Sequence, residues 1–122
     1  MNDEQRIQRV LGELEKTEDE RLIELGRAMT PAGLGIQENS DDLIESGRQF
    51  LGRVLDNLQD QVCCSSTIQM LHEKTIPNNS ALILALLDVV AKILSGPEIF
   101  TVTASIFHHG IGRLCKTYWA TE

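Results

Sequence analysis

Ser80-Ala81-Leu82-Ile83-Leu84-Ala85-Leu86-Leu87-Asp88-Val89-Val90-Ala91-Lys92-Ile93-Leu94 is the stretch whose reading decides the fold. It is apolar on nearly every side and long enough for about four helical turns. A helix that is apolar all round must be buried, by protein or by lipid. Lipid is the poorer choice. The run is shorter than the roughly 20 apolar residues that one crossing requires. Asp88, Lys92 and Glu98 interrupt the apolar segment 81–107. The expectation is a soluble core helix over residues 81–95, with no membrane span.

Ser95-Gly96-Pro97 closes this helix, with glycine just past its end and proline opening the next. Residues 98–119 then predict a second apolar helix. Phe100, Ala104, Phe107, Ile111, Leu114, Cys115 and Tyr118 line one stripe, and His109, Arg113 and Lys116 lie opposite. Gly110 and Gly112 weaken it and predict a bend. The two segments (81–95 and 98–119) form an antiparallel inner hairpin.

Material to cover that hairpin lies upstream. Ile7, Val10, Leu11 and Leu14 fall at i, i+3, i+4 and i+7 behind a cap at Asn2 or Asp3. Thr17-Glu18-Asp19-Glu20 has the capping-box pattern, so a break near Lys16–Thr17 starts a second helix with Leu22, Ile23, Leu25 and Met29 as its apolar set. Thr30-Pro31-Ala32-Gly33-Leu34-Gly35 is a loop. From Ser40, an N-cap, a long amphipathic helix follows. Leu43, Gly47, Phe50, Leu51, Val54, Leu55, Leu58 and Val62 share one face, and Gly47 on that face would let another helix approach closely. Ser65-Ser66-Thr67 caps a short helix, and Ile76-Pro77-Asn78-Asn79 turns into Ser80. The sum is an all-α, compact bundle of five to six helices, one domain over residues 1–122.

The net charge of −7 is unevenly placed. Residues 1–61 carry 14 acids and 7 Lys/Arg, and residues 62–122 carry 4 of each. Such a surface argues against a nucleic-acid phosphate backbone as partner, which calls for clustered Lys and Arg. Cys63, Cys64 and Cys115 are odd in number, and the N-terminus lacks a basic-then-apolar signal. Reduced thiols and a cytoplasmic location are the expectation.

No catalytic set assembles. His108 and Cys115, seven apart, share a helix edge, but zinc needs about four ligands and the others would have to come from His72, Cys63 or Cys64. Gly110-Ile111-Gly112-Arg113-Leu114-Cys115 lacks the third glycine and the βαβ context of a dinucleotide fingerprint. Cys63-Cys64 with His72 has no diagnostic spacing for a thiol nucleophile. The expectation is therefore no enzyme, no metal and no cofactor.

What remains is binding. Asp88 and Lys92 are an i, i+4 pair on an otherwise apolar helix, marking either a solvent strip or a seam for a partner. Tyr118 and Trp119 are residue types enriched at interface hot spots, or else pins for the last helix. His109 and Arg113 lie on the polar side of the same 98–119 segment. These six residues are the candidate partner-binding set. The function expected is a protein–protein interaction or regulatory module whose partner is another protein or a second copy of this chain as a homodimer. The second half carries more apolar surface than two or three covering helices easily bury, which is the ground for self-association. The alternatives are a lipid- or small-molecule-binding bundle, and an inhibitor or immunity-type protein acting on a basic partner.

Overall fold

The computed structural model describes residues 2–29, 40–73 and 80–119. The expected loop over 30–35 and the Pro77 turn lie outside the described residues. The elements are α1 (Asp3–Leu14), α2 (Glu18–Met29), α3 (Ser40–Cys63), α4 (Ser66–Glu73), α5 (Ser80–Val90), α6 (Glu98–His109), α7 (Ile111–Leu114) and α8 (Lys116–Trp119). No strand occurs among the described residues. The fold is all-α, and six of its eight described helices run two turns or more.

Local chemistry sets the helix starts. Asn2 Oδ1 accepts from Gln5 N at 2.8 Å while Asn2 N donates to Gln5 Oε1 at 3.0 Å, a reciprocal box that satisfies two donors at the first turn. Thr17 and Glu20 repeat the device at α2: Glu20 N donates to Thr17 Oγ1 at 3.1 Å and Thr17 N to Glu20 Oε1 at 3.0 Å. The break expected near Lys16–Thr17 is therefore present. Ser65 Oγ accepts from Ile68 N at 3.2 Å and starts α4.

α5 is buried by the chain's own helices. Ile83, Leu86, Leu87 and Val90 are fully buried, and each such side chain contributes about 1.5–3 kcal/mol. α1, α3, α4 and α6 pack around it. α6 is at least as central, since residues Phe100 to Ala104 are buried consecutively and no face of that segment is left to water. Two of its hydroxyls are satisfied inside the helix: Thr103 Oγ1 donates to Ile99 O at 2.7 Å and Ser105 Oγ to Thr101 O at 3.0 Å.

Two boundaries of the inner hairpin need correction. The apolar helix stops at Val90 rather than 95, and Ala91 to Ile93 form a turn. Leu94 N still reaches Val90 O at 2.9 Å, so the chain leaves the helix gradually. The segment 98–119 is three helices, not one. Gly110 adopts φ of +104°, which a residue with a side chain rarely takes, and the axis breaks there. A second break falls at Cys115, between α7 and α8.

α2 and α3 form the closest helix pair. A Cβ added to Gly47 would lie 2.8 Å from the carbonyl carbon of Leu22, and one added to Gly26 would lie 2.8 Å from that of Leu43. Both contacts are with backbone. Rising numbers in α2 meet falling numbers in α3, so the two helices run antiparallel.

The C-terminal turns are fastened to the end of α3. Cys63 and Cys115 are joined by a disulfide with Cα atoms 5.2 Å apart. Gln59 Nε2 donates to Leu114 O at 2.8 Å, and Trp119 Nε1 donates to Cys63 O at 2.8 Å. The reduced state expected for all three thiols is thereby corrected. Only the folding of α7 against α3 brings together two cysteines that are 52 apart in sequence. Among the described residues, no helix is long and apolar enough to cross a membrane.

Candidate functional site

The corner between α1 and α2 carries most of the buried polar chemistry. α1 has no basic residue in its last turn, so nothing on its own surface balances the negative end of its dipole. Arg21 of α2 supplies that charge. The residue is 1% exposed, and Nη1 donates to Glu13 O at 3.0 Å and to Lys16 O at 2.7 Å. Arg21 therefore caps α1 from the neighbouring helix. Its Nε is buried and finds no acceptor.

Beside it, Glu13, Lys16, Glu24 and Thr101 form a polar node linking α1, α2 and α6. Lys16 Nζ donates to Glu13 Oε2 at 2.8 Å and also to Glu24 Oε1. Burial pushes the Glu13 carboxyl up, but hydrogen bonds from Glu24, Lys16 and Thr101 outweigh it and leave Glu13 below its ordinary value. Burial pushes Glu24 up as well, its hydrogen bond to Glu13 adds to this, and Lys16 does not reverse it. When the pair carries one proton, that proton therefore sits on Glu24 rather than on Glu13. Hydrogen bonds to Glu13 and Glu24 raise the Lys16 ammonium.

A raised carboxyl contributes stability below its unfolded value, and that contribution is lost as pH rises through the folded value. Glu24→Gln keeps a donor toward Glu13 and removes the charge. The variant should be more stable than the parent at neutral pH. The gain should shrink as pH falls toward and below the ordinary value of 4.5. The Glu24 side chain is 37% exposed, so solvent screens the effect and the gain is a fraction of what full burial would give. Urea unfolding at pH 7 and about pH 3.5, one unit below the ordinary carboxyl value, checks this. Equal midpoints for parent and variant at both would contradict the shared proton.

Thr101, Ser105 and His108 fall at i, i+4 and i+7 on α6, so one stripe leads from this node to a cleft at the other end of the helix. The cleft has a volume of about 170 Å³. Leu51 and Leu55 of α3 form an apolar wall, and Arg21, His108, His109 and Arg113 bring cationic or protonatable groups. Glu18 is the acid of the lining, and it is not within ion-pair distance of Arg113. No carboxylate among the described residues pairs with Arg21 or Arg113. A chain with net charge −7 thus concentrates unpaired positive charge in one small recess.

The six sequence-nominated residues separate into three places. His109 and Arg113 share the cleft. Asp88 does not pair with Lys92; it accepts from Arg6 Nη2 of α1 at 3.4 Å, and Lys92 lies in the turn beyond α5. Trp119 packs on His72 with ring centroids 5.3 Å apart and bonds to Cys63 O, which is the geometry of a pin. Tyr118 donates to Asp60, and that carboxylate raises the phenol above its ordinary value. Sequence reasoning missed Arg21 and Ser105. Arg21 carries no local signal, since Arg9, Lys16 and Arg27 are likewise interleaved with the acids of the first two helices.

Of the residues weighed as metal or thiol sites, Cys63 and Cys115 come together, as a disulfide. Among the described residues, no group of three His, Cys, Asp or Glu side chains is placed to hold a metal ion. Cys115 is bonded to Cys63, and Cys64 is the free, exposed thiol. Comparison with protein-family models, curated proteins and solved structures finds no match to this chain.

Proposed function

We propose that the protein is a helical interaction module that docks a protein partner on the face where α2, α3, α6 and α7 converge. The observation that carries this reading is the recess where Arg21 and Arg113, neither paired with a carboxylate among the described residues, lie beside His108 and His109 in a chain of net charge −7. Charge placed against the general sign of a surface selects partners and sets their orientation more than it adds affinity. The partner is therefore one that presents an acidic group, rather than the basic partner expected of a uniformly acidic skin.

Self-association rests on a surplus of apolar surface in the second half. The described surface gives it little support: Met70, Ile93 and Tyr118 are the large hydrophobics left exposed. The lipid-binding alternative needs an apolar cavity along α5. The cleft between Leu51, Leu55 and Arg113 takes no lining from α5. The cytoplasmic placement depends on reduced thiols, and a buried Cys63–Cys115 bridge suits an oxidising compartment better.

A photo-crosslinking residue in place of His109 should capture a discrete partner from the native source. The same residue in place of Glu45, on the solvent side of α3, should not. Adding Arg113→Glu to the first variant should abolish the capture without moving the thermal midpoint, because Arg113 is exposed and makes no side-chain bond. Equal capture from both positions would remove this reading.

A further inference from the structure

We propose that the cleft is an oxyanion site, seating a single carboxylate or phosphoryl group of the partner between the Nε of Arg21 and the guanidinium of Arg113. The proposal deepens the docking reading above and rests on it for the source of that group. The site is built on Arg21. A guanidinium nitrogen buried without an acceptor is destabilising, and native structures leave few such groups. The carbonyls at the end of α1 satisfy Nη1 but not Nε. An anion entering the recess that Arg21 lines would supply the missing acceptor.

Further features of the recess narrow the ligand. Arg113 lines it with its fork uncommitted, and arginine forks match the two oxygens of a carboxylate or phosphoryl group. Leu51 and Leu55 lower the local dielectric, which strengthens a charge-assisted bond made against them. The volume of about 170 Å³ is below the roughly 300–1,000 Å³ of ordinary small-molecule sites, so it admits one group and not a nucleotide. Glu18 in the lining acts in the same direction, since its charge disfavours a polyphosphate more than a single oxyanion.

The test uses the full chain with arginine side chains labelled with nitrogen-15. Inorganic phosphate and acetate are titrated separately at constant ionic strength, with chloride as control. The expected result is a saturable shift of the Arg21 Nε–H resonance that chloride does not produce. Arg113→Gln, at an exposed position that leaves the fold intact, should weaken the binding about tenfold or more. Saturation by both anions assigns a general oxyanion site. Saturation by phosphate alone or by acetate alone assigns a phosphoryl or a carboxylate site. An Arg21 Nε–H resonance that stays still, or one that follows only ionic strength, overturns the proposal. If it is overturned while Arg113→Glu still abolishes crosslinking at position 109, docking stands and the oxyanion site falls. If the anion binds but position 109 captures nothing, the docking reading fails by itself.

Discussion

Gly47→Ala is expected to lower the unfolding free energy by about 3 kcal/mol or more, while Gly52→Ala on the same helix should raise it by about 0.5–1 kcal/mol. The two glycines are five residues apart on α3, and helix propensity treats them alike. What separates them is what a methyl group would meet. At position 52 nothing lies within 4 Å. At position 47 the methyl would enter the space of the Leu22 carbonyl. A backbone carbonyl inside a helix cannot rotate away as a side chain can, so α2 and α3 must separate along their whole contact. Gly26→Ala meets the Leu43 carbonyl in the same way and should cost a similar amount. Chemical denaturation of the three variants checks the set. Equal, small stabilisation at positions 47 and 52 would show that the two helices do not cross at van der Waals distance.

The second large effect is loss of the Cys63–Cys115 bridge. The bridge spans 52 residues of sequence, and closing such a loop removes chain entropy worth about 4 kcal/mol from the unfolded state. Both half-cystines are buried, at 5% and 0% exposure, so the packing around them also depends on the bond. Cys63→Ala with Cys115→Ala should therefore lower stability by about 3–4 kcal/mol. Alkylation followed by mass measurement tests the pairing itself. The unreduced protein should take up one label, at Cys64, and the reduced and unfolded protein three. Three labels on the unreduced, unfolded protein would mean that the bridge does not form.

Much of this fold is legible in the residue pattern, and the reasons are local. The capping box at Thr17 satisfies donors within three residues, so spacing alone reveals it, while at the first helix the pattern offers a cap at Asn2 or Asp3 and only the Gln5 contacts select Asn2. The face of α3 follows from a period that one helix carries unaided. Gly47 is legible because a glycine set into an apolar face marks a place where a neighbouring backbone comes close. Gly26 is not, since its role emerges only when Leu43 is known to lie across from it. The end of the apolar helix at Val90 is obscured because Ala91 to Leu94 continue the apolar composition after the regular hydrogen bonding has ended. The cleft is half legible. His109 and Arg113 are near neighbours on one segment and announce their charge. Arg21 comes from a different helix, and in sequence it is one more base among acids. Asp88 pairs with Arg6 instead of Lys92, a choice made by the packing of α1 on α5 rather than by helical spacing.

The covalent link between positions 63 and 115 gives the chain the topology of a lariat. A protease that nicks the backbone once anywhere inside that ring releases no fragment, and the wound is invisible on a gel until a reductant is added. Of the eight described helices, α4, α5, α6 and α7 lie inside the ring. The part of the molecule that carries His108, His109 and Arg113 is thus held at its place even after the strand that leads to it has been severed.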